Sequence, residues 1–310
     1  MKVVLAYGDA LETLQSLPTA SVNLVVTSPP YWALRTYHVE GQLGQEPTVK
    51  EYVDKLTSVF GEVKRVLRDD GVCFVNLGDT YGGTGDKGSF TDPKYREGRN
   101  GQAEAINKSA TAKSLCQIPN RFAIAMTDNG WLLRNKIIWH KPNQMPSSAK
   151  DRFTVDYEEV FMFTKQKKYF FQQQLEPYTA PMNRWGGEKL KANGESSWDE
   201  GTEQTTYRDR EMRPNAEGRN KRCVWSINTK PYSAAHFATY PEALVEPMIK
   251  AGCPKGGVVL DPFNGAGTTG IVAIKQGCEY FGIDLNMEYL DLAASRIVQE
   301  CPEAEVEWYI

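Results

Sequence analysis

The stretch from Gly257 to Asp284 constrains the fold more than any other part of the chain. Gly257-Val258-Val259-Leu260 is a short apolar run, and the glycine-rich loop Asp261-Pro262-Phe263-Asn264-Gly265-Ala266-Gly267-Thr268-Thr269-Gly270 follows it. Helical spacing then continues to Gln276, and a second apolar run, Tyr280-Phe281-Gly282-Ile283, ends at Asp284. Strand, glycine loop, helix and strand in this order predict parallel strands joined by a crossover helix. Glycines let the backbone turn tightly and approach a ligand, and a helix N-terminus offers free N–H donors. Asp284 falls where a carboxylate can accept hydrogen bonds from a ribose diol, so the unit reads as a seat for an adenosine-containing cofactor. Its spacing departs from the dinucleotide pattern Gly-x-Gly-x-x-Gly, because Asp261 and Pro262 precede it and Thr268-Thr269 interrupt it. A strand-end aspartate suits an ammonium group better than a pyrophosphate, which favours S-adenosylmethionine over NAD. A tight strand-to-helix turn without a ligand is the plainer alternative.

Elsewhere the pattern is similar. Residues 2–7, 22–26, 72–77, 131–139 and 159–164 read as strands. Helices are expected over Ala10 to Leu17, Pro47 to Leu67, about 118–129, near 241–251 and over 287–299. The expected fold is α/β, a mostly parallel, Rossmann-like sheet of about seven strands with helices on both faces. Two polar stretches break this order, Gly78 to Ser114 and roughly 180–222. The first is read as a long mobile insertion.

A second constraint is Thr27-Ser28-Pro29-Pro30-Tyr31-Trp32, at the exit of the strand 22–26. Neither proline can extend a sheet ladder, and each fixes its own φ. Pro30 also holds Pro29 extended, so the carbonyls point in set directions. A stiff carbonyl, a hydroxyl and a stacking ring suit the grip of a planar, amine-bearing ring. On these six residues alone, a proline-terminated turn that returns Tyr31 and Trp32 to the core is an equal reading.

The hexapeptide resembles motif IV of the DNA amino-methyltransferases, and its Ser-Pro-Pro-Tyr form is similar to that of the cytosine-N4 branch. Asp-Pro-Pro-Tyr is more usual in the adenine-N6 branch. Asp261-Pro262-Phe263-x-Gly-x-Gly-Thr resembles motif I, Asp284 the motif II acid, Gly8-Asp9 motif III and His236 to Pro241 motif X. Motif IV ahead of motif I is the circularly permuted order of the β group. The resemblance implies adjacent strands ending at Val26 and Leu260, with cofactor and target base meeting in the crevice at their carboxyl ends. It implies catalytic roles for Ser28, Pro29, Pro30 and Tyr31. It implies cofactor contacts from Asp9, Ala10, Thr27, His236, Phe237, Tyr240, Asp261, Phe263, Asn264, Gly265, Gly267, Thr268, Asp284, Leu285 and Asn286. The activity implied is methyl transfer from S-adenosyl-L-methionine, leaving S-adenosyl-L-homocysteine, to the N4 amine of a flipped-out cytosine. An adenine-N6 enzyme of the same fold is the alternative, and a non-catalytic DNA- or cofactor-binding subunit a remoter one.

Residues 1–79 and 116–170 would form the catalytic part, 226–310 the cofactor-binding part, 80–115 the mobile insertion and 171–225 the target-recognition insertion. DNA contacts are expected from Trp32, Arg35, Lys141, Lys150, Arg152, Arg208, Arg210, Arg213, Arg219, Lys221 and Arg222. A solvated face is the plainer reading of any one such charge run. With a net charge of −3, any DNA surface must be local. The six cysteines are scattered without a Cys-x-x-Cys pair, which speaks for reduced thiols and against a metal centre. No Pro-Cys dipeptide is present for carbon-5 chemistry. The expected partners are double-stranded DNA and a cognate restriction endonuclease acting separately. The expected state is a monomer or homodimer, prokaryotic or phage-encoded, cytoplasmic and nucleoid-associated, with no membrane contact.

Overall fold

The computed structural model describes residues 1–34, 39–83, 110–178, 217–230 and 240–309. The chain divides into one unit of residues 1–172 and 223–310 and a second of residues 173–222. The contacts expected from Arg35, Arg208, Arg210, Arg213, His236 and Phe237, and most of the expected insertion 80–115, lie outside the described residues.

In the first unit, β1 (Lys2–Tyr7), α1 (Ala10–Ser16) and β2 (Val22–Thr27) are followed by α2 (Val49–Val66) and β3 (Leu67–Leu77). Helix α2 starts at Thr48, whose Oγ1 accepts from the Glu51 N–H at 3.2 Å. Its buried residues Tyr52, Val53, Leu56, Val59, Phe60, Val63 and Val66 form the apolar stripe that the sequence spacing predicts. Then come α3 (Ile118–Asp128), β4 (Leu132–His140) and β5 (Tyr157–Thr164). After the second unit, with its short ribbon β6 (Leu175–Glu176) and β7 (Arg219–Asn220), the chain resumes at β8 (Val224–Ser226). It continues through α4 (Glu242–Gly252), β9 (Val258–Asp261), α5 (Thr268–Lys275), β10 (Glu279–Asp284), α6 (Met287–Glu300) and β11 (Glu305–Tyr309).

The first unit's sheet has nine strands in the order β11-β1-β10-β9-β2-β3-β5-β4-β8. It is parallel except where β5 runs against β3 and β4. The expected seven strands are present, and the extra two, β8 and β11, are added at the edges. Side chains alternate across the sheet, as a two-residue period requires. Val25, Cys73 and Val75 face one layer with Leu14, Phe60 and Phe122 of α1 to α3. Leu24, Val26, Val72 and Phe74 face the other with Leu244, Ile271 and Leu290 of α4 to α6. Each fully buried Leu or Phe contributes about 1.5–3 kcal/mol, so both faces hold the sheet firmly. Among the described residues no helix is long and apolar enough to cross a membrane.

Candidate active site

Strand β2 pairs in parallel with β9, with Leu24 opposite Val259 and Val25 opposite Leu260. The diproline rim and the glycine loop therefore leave the sheet side by side, at the carboxyl ends of neighbouring strands. Thr27 Oγ1 donates to Asp261 Oδ1 at 2.6 Å and closes the junction.

Asp261 is buried and fully engaged. Besides Thr27, it accepts from the Phe263 N–H at 3.1 Å, Thr269 Oγ1 at 2.8 Å and Tyr240 Oη at 3.1 Å. Burial pushes its carboxyl above the usual range, while these donors pull it back. The expected ammonium partner is thus occupied in joining the rim, the loop and the segment at Tyr240. Other side chains of the loop serve the loop itself. Asn264 donates to the Gly265 carbonyl and accepts from Tyr280 Oη. Thr268 lies against Arg296. Gly267 is at φ +75°, where an added Cβ would come within 2.7 Å of Ala293 Cβ, so it lets α6 approach.

Gly265 is different. It lies at φ +51°, and the nearest protein atom to an added Cβ is the Phe263 carbonyl oxygen at 4.0 Å, so its face is open. Its N–H donates to Asp284 Oδ2 at 2.7 Å, and the Asn286 N–H donates to Oδ1 at 2.9 Å. Burial raises Asp284 to about 6 against those two donors. Asn286 caps α6 by accepting from the Glu288 N–H, and Leu285 is half-buried between these two residues. Asp9, before Ala10 at the start of α1, uses Oδ1 to cap that helix, accepting from the Leu11 and Glu12 N–H groups. An open glycine bend, a strand-end carboxylate and a second strand-end aspartate fit an adenosine-bearing cofactor.

On the rim, the Pro30 carbonyl accepts from Tyr52 Oη at 2.7 Å, which fixes the diproline against α2. Asn76, at the end of β3, is a site residue that the sequence reading missed. Its Nδ2 donates to the Glu159 carbonyl, which turns Oδ1 toward Ser28 Oγ at 3.4 Å and Tyr31 Oη at 3.2 Å. Tyr31 Oη also donates to Glu158 Oε2 at 2.8 Å, and Lys141 pairs with the other oxygen of that carboxylate. Burial, with the Glu158 charge beside it, holds the Tyr31 phenol well above its ordinary range, so it stays a neutral donor. The Tyr31 ring packs over Gly78, where a Cβ would come within 2.4 Å of it. Asn76 and Glu158 come from distant strands, and only the pairing of β3 with β5 could have revealed them.

The described residues from which DNA contacts are expected differ in exposure, and the structure takes Trp32 out of that set. Trp32 is 0% exposed and donates its indole N–H to the Glu46 carbonyl, so it returns to the core while its neighbour Tyr31 stays in the site. The Lys141 side chain is 12% exposed and committed to Glu158. In the second unit, Arg219 and Arg222 share the Glu176 carboxylate, at 2.9 and 2.6 Å. Lys221 is exposed beside them. Lys150 is exposed, and Arg152 is exposed with its guanidinium 3.8 Å from the Tyr81 ring centroid. Among the described residues no group of three His, Cys, Asp or Glu is placed to hold a metal ion.

Residues 22–295 match the profile of a family described as DNA methylase, which covers N6 and N4 enzymes. Type II methyltransferase M.XycI of Xanthomonas campestris pv. cyanopsidis is 41% identical, over 94% of this chain and 86% of that protein. M.Cfr9I of Citrobacter freundii is 39% identical over 94% and 87%. A Thermus thermophilus protein solved in complex with S-adenosyl-L-methionine is 25% identical with a TM-score of 0.59, covering 99% of both chains. The PvuII DNA methyltransferase, cytosine-N4-specific, shares the fold at 22% identity and a TM-score of 0.63, covering 99% of this chain and 94% of that one. The chain belongs to the DNA methylase family of N6 and N4 amino-methyltransferases, and is a DNA methyltransferase whose methyl donor is S-adenosyl-L-methionine.

Proposed function

We propose that the chain methylates the exocyclic N4 amine of a cytosine turned out of the duplex, at a specific site, and works beside a separate restriction endonuclease. The amine is a poor nucleophile because its lone pair is delocalised into the ring. Two acceptors that receive hydrogen bonds from its N–H groups let the nitrogen pyramidalise toward the methyl. The Pro29 carbonyl accepts no hydrogen bond among the described residues and can take one. Ser28 Oγ is the other: its own proton points to Asn76 Oδ1, which leaves its lone pairs for the amine. Tyr31 stacks on the ring and is held by Glu158. Bound S-adenosyl-L-methionine supplies an electrophilic methyl on its sulfonium. Asp284 and the Gly265 bend hold its adenosine end, and the seating of both reactants on adjacent strand ends lowers the barrier by proximity.

The observation that carries the N4 assignment is Ser28, at the position where the N4 branch carries serine. Mass spectrometry of nucleosides from DNA treated with the purified chain tests it. N4-methylcytosine is expected. N6-methyladenine would move the target to adenine, and no methylated nucleoside would end the reading. Pro29→Ala and Tyr31→Ala should each lower turnover by about a hundredfold or more while leaving cofactor affinity near that of the parent.

A further inference from the structure

We propose that Phe153, on the loop between β4 and β5, enters the DNA base stack next to the target base and holds the gap open while that base is in the cleft. The inference rests on the base-flipping reading above and adds the side chain that would perform it.

Phe153 is 96% exposed and Met145 81% exposed, the two most exposed large hydrophobic residues among those described, and both lie on this one loop. A lone exposed apolar side chain is ordinary, but the two most exposed ones falling on the same loop call for an occupant. The loop's position gives them an occupant. Strand β5 runs antiparallel to β3, so its first residues lie at the end of the sheet where β2 and β3 deliver Ser28 and Asn76. The Lys141 N–H donates to the Asp156 carbonyl at 2.7 Å and closes the loop's base. Glu158, two residues beyond, holds Tyr31. Nearer the tip, Arg152 stacks on Tyr81, five residues after Asn76, and so ties Phe153's neighbour to the same rim.

The charge around the ring suits a phosphate backbone. Asp151 is neutralised by Lys113 at 2.8 Å, and Lys150 and Arg152 remain as exposed cations beside it. An exposed aromatic next to cations, on a tethered loop at the mouth of a base pocket, matches the wedges that proteins insert between base steps. A base out of the stack leaves a slot of aromatic thickness, and a ring in that slot opposes re-pairing.

Exposure makes Phe153 safe to change, since no packing is lost. The test compares single-turnover methylation of a duplex carrying the chain's own site with that of the same duplex lacking the base opposite the target. Phe153→Ala should slow the paired duplex about tenfold and leave the unpaired one within about threefold of the parent, because there no pairing opposes extrusion. Phe153→Trp should restore the paired rate. Cofactor affinity should not move. Equal rates for parent and Phe153→Ala on both duplexes would overturn the proposal, as would equal slowing on both. A parent chain inactive on both duplexes would remove the base-flipping reading itself, and the wedge with it.

Discussion

At the scale of single residues, the site works by directing hydrogens. The Glu159 carbonyl holds the Asn76 amide, whose oxygen accepts from the Ser28 hydroxyl, so on the function proposed above the hydroxyl's lone pairs are left for the amine. Asp284 adds a pH dependence. On the function proposed above, ribose hydroxyls would donate to its ionised form, so cofactor binding would need the carboxylate. Its carboxyl is raised to about 6, and affinity should therefore hold above that pH and fall by about tenfold per unit below it. In the free chain the sign reverses. A folded value above the unfolded one makes Asp284's contribution to stability full at low pH and lost as pH rises through about 6. Calorimetric titration of cofactor between pH 5 and 8 checks the binding limb, and Asp284→Asn should flatten it. Ser28 to Tyr31 were legible in the sequence because they are contiguous and punctuated by two prolines. Asn76 and Glu158 stand 45 and 127 residues from Tyr31, so no local pattern could connect them to it.

Between elements, the decisive joint is β2 against β9. Thr27 and Asp261 are 234 residues apart and meet at 2.6 Å, so this hydrogen bond carries the β2–β9 pairing on to the loops that leave the two strands. Thr27→Val keeps the shape and removes the donor, leaving a buried carboxylate short of one partner. It should cost about 1–3 kcal/mol of stability by urea titration, and activity should fall with it as the rim loosens. A change within a few tenths of a kcal/mol would mean that the remaining donors, Tyr240 and Thr269 among them, satisfy Asp261 without it. The strands and helices that carry this joint announce themselves, because the strands are apolar runs buried on both faces and the helices repeat apolar residues along one buried face. Strands β8 and β11 do not. One is three residues long, and the other, Glu305-Val306-Glu307-Trp308-Tyr309, is an edge strand with charges on its exposed side.

At the scale of the whole molecule, a chain with a net charge of −3 must gather its DNA contacts locally, and a count of cations overstates them. Lys141 spends its charge on Glu158, and Arg219 and Arg222 divide one carboxylate, whereas Lys150 has no ion-pair partner among the described residues. Counterion release depends on charge that is free to meet phosphate. Lys150→Ala should therefore reduce the slope of log affinity against log salt by about one, and weaken binding alike on specific and unrelated duplexes. Lys141→Ala should leave the slope almost unchanged but slow methylation, because Glu158 loses the cation that fixes its grip on Tyr31. Binding by fluorescence anisotropy from low to physiological salt separates the two. If Lys141→Ala lowers the slope as far as Lys150→Ala does, the Lys141–Glu158 pair opens when DNA arrives. Tyr31 would then be released by the same event that delivers the substrate.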